Sequence, residues 1–378
     1  MHGARSGGLE GMVFTDTALS DVDGERGQLI IAGQRVEDLA GRTPFEALCA
    51  RLWALGEGQP RAEDAVRRGL GHARARAFAL LPALSPALRR RDGMDALRGA
   101  LAQLDGSEDR TDQLALDLAG AAAVFAAAWH RLRADAAPLA PDPDAGHAAD
   151  YLRMCRGQPP SAGEAAALDA YLVTVSDHGM NASTFAARVV TSTQSDPVSA
   201  VVAAVGALKG PLHGGAPGPV LDMLDRIGDD PAAVRPWLAG ELASGRRIMG
   251  MGHRIYRVRD PRAFVLERAL TELERDRGGA GPRGGRLALA RLVERTAEEL
   301  LAERHPERPL RANVEFYTAL LLEAIGLDRA CFSTTFAVGR CAGWLAHIAE
   351  QRRTGRLIRP GSRYVGPLPD AAPAATTS

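Results

Sequence analysis

The feature that most constrains the fold of this chain is the spacing of its apolar residues, which recur every three or four positions along most of its 378 residues. The segment from Leu114 to Trp129 is typical, because its apolar side chains share one face of a helix. Only one region near the start, GQLIIAGQRVEDLA, has the short apolar run and glycine turn of a strand. The sequence therefore predicts a mainly α-helical protein.

Two Gly-, Pro- and Asp-rich stretches, 135–146 and 276–286, lack any apolar period and indicate connectors. The length suits one large domain or two of ordinary size, and we expect two unequal lobes. The absence of an internal repeat argues against a solenoid. Helices are predicted at 44–55, 63–81, 112–134, 161–176, 183–193, 197–208, 218–227, 231–244, 261–276, 286–303, 314–325 and 330–350.

Charge and cysteine content narrow the class of partner. Lys plus Arg equals Asp plus Glu at 46 each, so no overall charge drives binding to nucleic acid or to an anionic membrane. No apolar run has the length of a membrane span, and the start has no signal-peptide core. The four cysteines form no C-x-x-C pair or zinc-type spacing. We expect a soluble cytoplasmic protein that acts on small molecules.

Three segments in fixed order pair a histidine with glycines: SDHGMNASTF around His178, GPLHGGAPG around His213 and MGMGHRIYRVRDPR around His253. A fourth segment, NVEFYTALLLEAIG, adds the carboxylate of Glu315. Three imidazoles and one carboxylate near arginines suit the removal of a proton from carbon and the addition of the resulting carbanion to a carbonyl. Taken singly, each residue also has an ordinary structural explanation at a helix end or connector.

Two of these groups, His213 and Glu315, lie next to predicted helix ends, and this position predicts their charge state. His213 precedes the helix predicted at 218–227, whose positive end should disfavour the imidazolium and leave a neutral donor. Glu315 follows the N-cap residue Asn313, and a carboxylate in a first turn should be stabilised in its ionised form. Both expectations suit a base and a neutral hydrogen-bond donor.

The sequence was also searched for motifs of nucleotide-binding, serine-nucleophile and metal sites. The G-M-G-H before His253 does not match the dinucleotide fingerprint G-x-G-x-x-G, and the sequence contains no Walker G-K-[ST] and no G-x-S-x-G. It also contains no HExxH pair, so no metal is assigned. Glycines 250 and 252 leave the backbone before His253 free to meet a ligand, and the arginines that follow favour anions. Among these, Arg254 and Arg259 are expected to be simply solvated.

The ordered motifs DHGMNASTFAARVVTST, GALKGPLHGGA, GHRIYRVRDPRA, NVEFY and GRLIRPGSRYVGP resemble the citrate synthase family, which includes 2-methylcitrate synthases. The opening GLEGMVFTDTALSDVDGERGQLIIAG resembles short bacterial members. The resemblance implies a two-domain helical fold with the active site in the interdomain cleft. It places the large domain at 1–214 plus 326–378 and the small domain at 215–325.

The resemblance also implies condensation of oxaloacetate with acetyl-CoA, then thioester hydrolysis to citrate and CoA. Acyl-CoA would be a co-substrate, with no permanently bound cofactor, and the protein would be a homodimer. Two alternatives stay open: a 2-methylcitrate synthase that uses propionyl-CoA, and a catalytically silent paralogue that binds CoA or oxaloacetate. Propionyl-CoA differs from acetyl-CoA by one methylene. Discrimination between the two substrates is worth about 1 to 3 kcal/mol, and sequence motifs do not resolve it.

By match to the family motifs, Glu315 is the base, His213 binds the thioester oxygen, and His253 polarises and protonates the keto carbonyl. The implied oxaloacetate ligands are His178, Asn181, Arg262, Arg340 and, across the dimer interface, Arg359. The implied coenzyme A contacts are Ile248, Met249, Gly250, Met251, Gly252 and Arg257.

The chain departs from the usual family spelling at three places. Pro217 and Gly218 replace Asn-Glu, Gly179 replaces Glu, and Glu315 replaces the usual Asp. The extra methylene of Glu315 can move a carboxylate by about 1 Å, which can cost about a hundredfold in rate. We expect the backbone to have adjusted to the longer side chain.

Overall fold

The computed structural model describes residues 12–107, 111–213, 217–253, 255–278, 285–307 and 310–366. In these ranges sixteen α-helices and one small sheet are found, which confirms the predicted mainly α class. The first eight helices are α1 Val36–Leu39, α2 Phe45–Glu57, α3 Glu63–Ala79, α4 Leu81–Leu88, α5 Gly93–Leu101, α6 Thr111–Arg133, α7 His147–Arg156 and α8 Ala162–Val175. The others are α9 Ala182–Ser192, α10 Pro197–Leu208, α11 Gly218–Ile227, α12 Val234–Ala243, α13 Pro261–Asp276, α14 Gly285–Arg304, α15 Val314–Ala324 and α16 Phe332–Thr354.

The sheet is antiparallel and follows chain order: β1 Ser20–Asp23, β2 Gln28–Ile31 and β3 Gln34–Arg35. Strand β2 confirms the predicted apolar run, and it buries Leu29 and Ile31 against the helical core. Strand β1 was not predicted, because its sequence SDVD has a single apolar residue. Its place in the sheet comes from pairing with β2.

The long helices α6 and α16 form the centre of the core, with α16 packed against α2, α6, α8 and α9. Close approach is built in at Gly343, where an added Cβ would lie 2.3 Å from the carbonyl oxygen of Ser176. This contact brings α16 directly against the segment that follows α8. That segment carries His178.

Helices α4, α5 and α7 were missed by the sequence patterns. In α7 the buried face contains polar residues, since His147 and Asp150 are fully buried. Asp150 accepts a 2.7 Å hydrogen bond from the buried guanidinium of Arg74. The same face carries an apolar stripe at helical spacing, formed by Ala148, Tyr151, Leu152 and Cys155.

Helices α11 to α15 form the part of the chain that the sequence assigned to a small domain. Helix α13 packs against α15 on one side and α8 on the other. The predicted boundary at 214 and 215, and most of the connector at 276–286, lie outside the described residues, so the division stays a prediction. The connector at 135–146 is irregular, as predicted. None of the helices in the described ranges is both long and apolar enough to cross a membrane. All four cysteines are buried free thiols.

Candidate active site

A cleft of about 1850 Å³ lies where α9, α11, α13, α15 and α16 meet. It brings together almost all of the site residues proposed from the sequence, although they come from distant segments. Those that line it are His178, Asn181, His213, Ile248, Met249, Gly250, Met251, Gly252, His253, Arg257, Arg262, Glu315 and Arg340. Arg359 does not line this cleft and is exposed.

The loop before His253 is tied to the strand-like segment that leads into α15. The amide of Gly252 donates to the carbonyl of Arg311 at 2.7 Å, and the amide of Asn313 donates to the carbonyl of Gly250 at 2.9 Å. The Asn313 side chain adds a bond to the carbonyl of Gly252 at 2.9 Å. Gly250 has φ 75° and Gly252 has φ 83°, in the left-handed region that favours glycine. This pairing fixes His253 relative to the carboxylate on α15.

Glu315 lies in the first turn of α15 and is mostly buried in the wall of the cleft. Burial raises the pKa of its carboxyl from an ordinary 4.5 to about 7, although Arg262 and Arg247 oppose the rise. The net shift is opposite in direction to the stabilisation of the ionised form expected from the helix end, and burial is its largest cause. A carboxylate with a pKa near 7 is well matched to a base at neutral pH.

His213 is anchored through Nε2, which accepts the backbone N–H of Ser183 at 3.2 Å and lies 2.8 Å from its Oγ. Ser183 belongs to the first turn of α9, so the N-terminus of α9 lies beside the His213 ring. The expected influence of the start of α11 on His213 stays a prediction. Since Nε2 accepts, the hydrogen-bond pattern assigns the ring proton to Nδ1. Burial, together with Arg340, lowers the pKa of His213 to about 4, which confirms the predicted neutral imidazole.

His253 is anchored through its other nitrogen. Its Nδ1 accepts the backbone N–H groups of Ile255 at 3.0 Å and Tyr256 at 3.1 Å, which assigns the ring proton to Nε2. Burial and the nearby Arg262 lower the pKa of His253 to about 4. The two histidines are therefore neutral near pH 7, and each keeps one N–H as a donor.

His178 completes an aromatic cluster with His253 and Tyr256. Its ring centroid is 5.9 Å from that of His253, and its Nε2 is 3.1 Å from the hydroxyl of Tyr256. Burial, then Arg262 and Arg340, holds the pKa of His178 well below its ordinary value. Tyr256 was not predicted, although it stands three residues after His253 in the same motif.

Two buried arginines give the cleft its charge. Arg262 is paired with Asp260, the N-cap residue of α13, through bonds of 3.0 and 2.8 Å. Arg340 donates to the carbonyl of Val175 at 2.5 Å, and no carboxylate in the described part of the chain lies within salt-bridge distance of it. Burial, with a contribution from Arg262, lowers the pKa of Arg340 to about 10, so it stays charged at neutral pH. The cleft therefore holds one guanidinium without a carboxylate partner, that of Arg340, beside the Arg262–Asp260 pair, and this favours an anion.

Other arginines and Asn181 differ from their predicted environments. Asn181 uses its side-chain oxygen to cap α9 and its amide to bond the carbonyl of Gly179 and the hydroxyl of Thr184. Its polar atoms are thus engaged within the protein. Arg259 is not simply solvated, because it pairs with Glu267 and Glu294. Over the described ranges, no group of three His, Cys, Asp or Glu residues is arranged to hold a metal ion.

Comparison with known proteins agrees with this architecture. The family model described as "Citrate synthase, C-terminal domain" matches residues 8–361. A 2-methylcitrate synthase of Mycobacterium tuberculosis is 37% identical over 95% of this chain and 90% of that protein. A citrate synthase of Haloferax volcanii is 36% identical over 97% of each chain.

Solved structures give the same result at the level of the fold. The crystal structure of citrate synthase from Thermotoga maritima superposes with a TM-score of 0.81 and 30% identity, covering 98% of each chain. Citrate synthase of Thermoplasma acidophilum, solved in a ternary complex with carboxymethyl coenzyme A and oxaloacetate, superposes with a TM-score of 0.83 at 27% identity, covering 98% of this chain and 99% of that one. The motif resemblance is confirmed: the chain belongs to the citrate synthase family and is an acyl-transferring enzyme of that type.

Proposed function

We propose that this protein condenses oxaloacetate with acetyl-CoA and then hydrolyses the resulting citryl thioester to citrate and CoA. The observation that carries the proposal is the convergence, in one cleft, of a mostly buried carboxylate, two oppositely anchored neutral imidazoles and two buried arginines. A silent paralogue has no need to keep a carboxylate buried at a cost in folding stability.

The first step removes a proton from the methyl carbon of the thioester. Glu315 accepts that proton, and a pKa near 7 leaves much of it ionised at neutral pH while making it a stronger base than an ordinary carboxylate. The electron pair of the C–H bond moves into the enol, so negative charge grows on the thioester oxygen. The Nδ1–H of His213 donates to that oxygen without itself being charged.

In the second step the enol carbon attacks the keto carbonyl of oxaloacetate. The carbonyl oxygen gains negative charge as the new C–C bond forms, and the Nε2–H of His253 donates to it and supplies the proton of the new hydroxyl. The His253 ring then takes a replacement proton from water, and Glu315 returns the methyl proton to solvent before the next turnover. Arg262, Arg340 and His178 would hold the two carboxylates of the acceptor. Water then cleaves the citryl thioester, and CoA leaves as the free thiol.

Binding of coenzyme A is assigned to the loop from Ile248 to Gly252 and to Arg257 at the edge of the cleft. Glycines in the left-handed region leave the amides and carbonyls of this loop accessible to a polar heterocycle. Arg257 is exposed, and its nearest acidic neighbour, Glu25, is 3.9 Å away, so its charge is available to a phosphate. The citrate synthase of Thermoplasma acidophilum was solved with a coenzyme A analogue and oxaloacetate together, which supports both ligands for the same fold.

Three further assignments complete the proposal. The helices α11 to α15 would move as a small lobe that closes the cleft and excludes water from the enol. The protein would act as a homodimer, with the exposed Arg359 reaching the oxaloacetate site of the partner subunit. It would work in the cytoplasm, where its buried thiols stay reduced.

A second candidate is 2-methylcitrate synthesis from propionyl-CoA. The relative of that name is as similar to this chain as the relative named citrate synthase, at 37% against 36% identity. The choice depends on space for one extra methyl group beside the carboxylate, which is worth about 1 to 3 kcal/mol.

The test is release of free thiol from acetyl-CoA and from propionyl-CoA, each with oxaloacetate. We expect turnover with acetyl-CoA, with a higher kcat/KM than for propionyl-CoA, and a loss of at least about a hundredfold in Glu315→Gln. The matched control is Glu307→Gln, which removes an exposed carboxylate from the rim of the same cleft and should retain activity. No thiol release by the parent would contradict the proposed activity, and full activity in Glu315→Gln would remove that residue from the role of base.

A further inference from the structure

The residues on both sides of His178 are held by one hydroxyl from a distant strand, through the side chain of Asp177 and the backbone of Gly179. Ser20, on β1, donates a short hydrogen bond to the carboxylate of Asp177 and accepts the backbone N–H of Gly179 at 3.1 Å. Residues 177–179 have no regular secondary structure, and Gly179 has φ 60°. The position of His178 therefore depends on tertiary hydrogen bonds.

A series of buried side chains also binds Asp177, through the same carboxylate oxygen that Ser20 contacts. Nε2 of His347, on α16, lies 3.2 Å from the carboxylate oxygen that Ser20 contacts. Nδ1 of His347 accepts from Arg188, on α9, at 3.1 and 2.8 Å. Since Nδ1 accepts, the imidazole donates through Nε2 to Asp177. Asp177, His347 and Arg188 are each 1% exposed or less.

These hydrogen bonds lead back to the segment just before β1, the strand that carries Ser20. Arg188 pairs with Glu350, and Glu350 accepts the backbone N–H of Ala18 at 2.9 Å, two residues before Ser20. We call these side chains, Ser20, Asp177, His347, Arg188 and Glu350, the Asp177 cluster. It links β1, α9, α16 and the end of α8 in one hydrogen-bonded ring.

The Asp177 cluster also affects the charge of Arg340, the other anion-binding group of the cleft. The carboxylate of Asp177 favours the charged form of Arg340, which otherwise has a buried guanidinium and a hydrogen bond to a backbone carbonyl. None of the steps proposed for the reaction transfers a proton to or from the cluster. Its effect is therefore on the position of His178 and on the charge of Arg340.

We propose that Ser20 and Asp177 are positioning residues that set the affinity for the keto acid by holding His178 in place. This inference rests on the proposed function of the cleft. A positioning role of this kind predicts a weaker interaction with oxaloacetate, while the chemistry and the coenzyme A site stay nearly unchanged.

The test is Ser20→Ala, which removes the hydroxyl and leaves the strand intact. We expect the KM for oxaloacetate to rise about tenfold, with kcat within about twofold and the KM for acetyl-CoA unchanged. The matched control is Ser161→Ala, which removes a hydroxyl that caps α8 far from the cleft and should leave all three constants unchanged. Equal increases in both KM values, or no increase at all, would overturn the inference.

A second variant, Asp177→Asn, removes the charge and keeps the shape. It should raise the KM for oxaloacetate further than Ser20→Ala does. Its control is Asp150→Asn, which breaks a buried arginine, aspartate and histidine cluster of similar make-up around Arg74 and His147. The control should lower thermal stability without moving that KM.

An assay of the wild-type protein separates failure of the proposed function from failure of the positioning role. If the wild-type protein releases no thiol, calorimetric titration with oxaloacetate still compares the parent with Ser20→Ala. A tenfold weaker Kd in the variant would support the positioning role, and equal Kd values would overturn it.

Discussion

Glu315→Gln should make the folded protein more stable at pH 8 than the parent, because the parent holds a carboxylate where ionisation is costly. Its pKa is about 7 in the folded protein against an ordinary 4.5. A raised pKa means that the folded state binds the proton more tightly. The resulting stability is fully present below pH 4.5 and is lost as the pH rises through 7.

The magnitude follows from these two values. Each pKa unit corresponds to about 1.36 kcal/mol, and between pH 5 and pH 8 the parent loses about 2.5 kcal/mol of unfolding free energy through this one group. The glutamine variant lacks this dependence. Relative to the parent, it should therefore gain about 2.5 kcal/mol between the two pH values, while it loses activity.

The measurement is urea unfolding of both proteins at pH 5 and pH 8, at one protein concentration. The control is Asp64→Asn, on the exposed first turn of α3. It measures how removal of an exposed carboxylate from a helix start changes the unfolding free energy. If the stability difference between Glu315→Gln and the parent is the same at both pH values, the carboxylate is not held in a buried site, and the argument for a base of raised pKa is refuted.

Two further predictions concern catalysis and packing. The kcat/KM of the parent should rise about tenfold per pH unit below pH 7 and level off above it, because Glu315 must be ionised to act; a profile flat from pH 5 to pH 8 would contradict this. Gly343→Ala should cost about 2 kcal/mol in urea unfolding, since its Cβ would lie 2.3 Å from the oxygen of Ser176. Gly240→Ala, in α12 with open space around it, is the control and should stabilise by up to about 1 kcal/mol.

The sequence was sufficient for the fold class and for most of the proposed residues that line the cleft. Helical periodicity is local, so α6, α9 and α10 could be located from their own residues within a few positions. The motifs named the residues that line the cleft, since each motif keeps its histidine or carboxylate beside a helix end or glycine turn. Arg359 is the exception, because its predicted site lies on another subunit.

Tertiary structure decided the properties of those residues. The pKa of Glu315 is raised because residues far away in sequence remove its water, and the net shift is opposite in direction to the effect expected from its helix. The ring proton of His213 was decided by Ser183, thirty residues earlier in the chain. The ring around Asp177 joins four elements whose sequences carry no sign of one another. Periodicity and motif spelling are local and survive in the sequence, whereas solvation and hydrogen-bond partners depend on distances that only the folded chain defines.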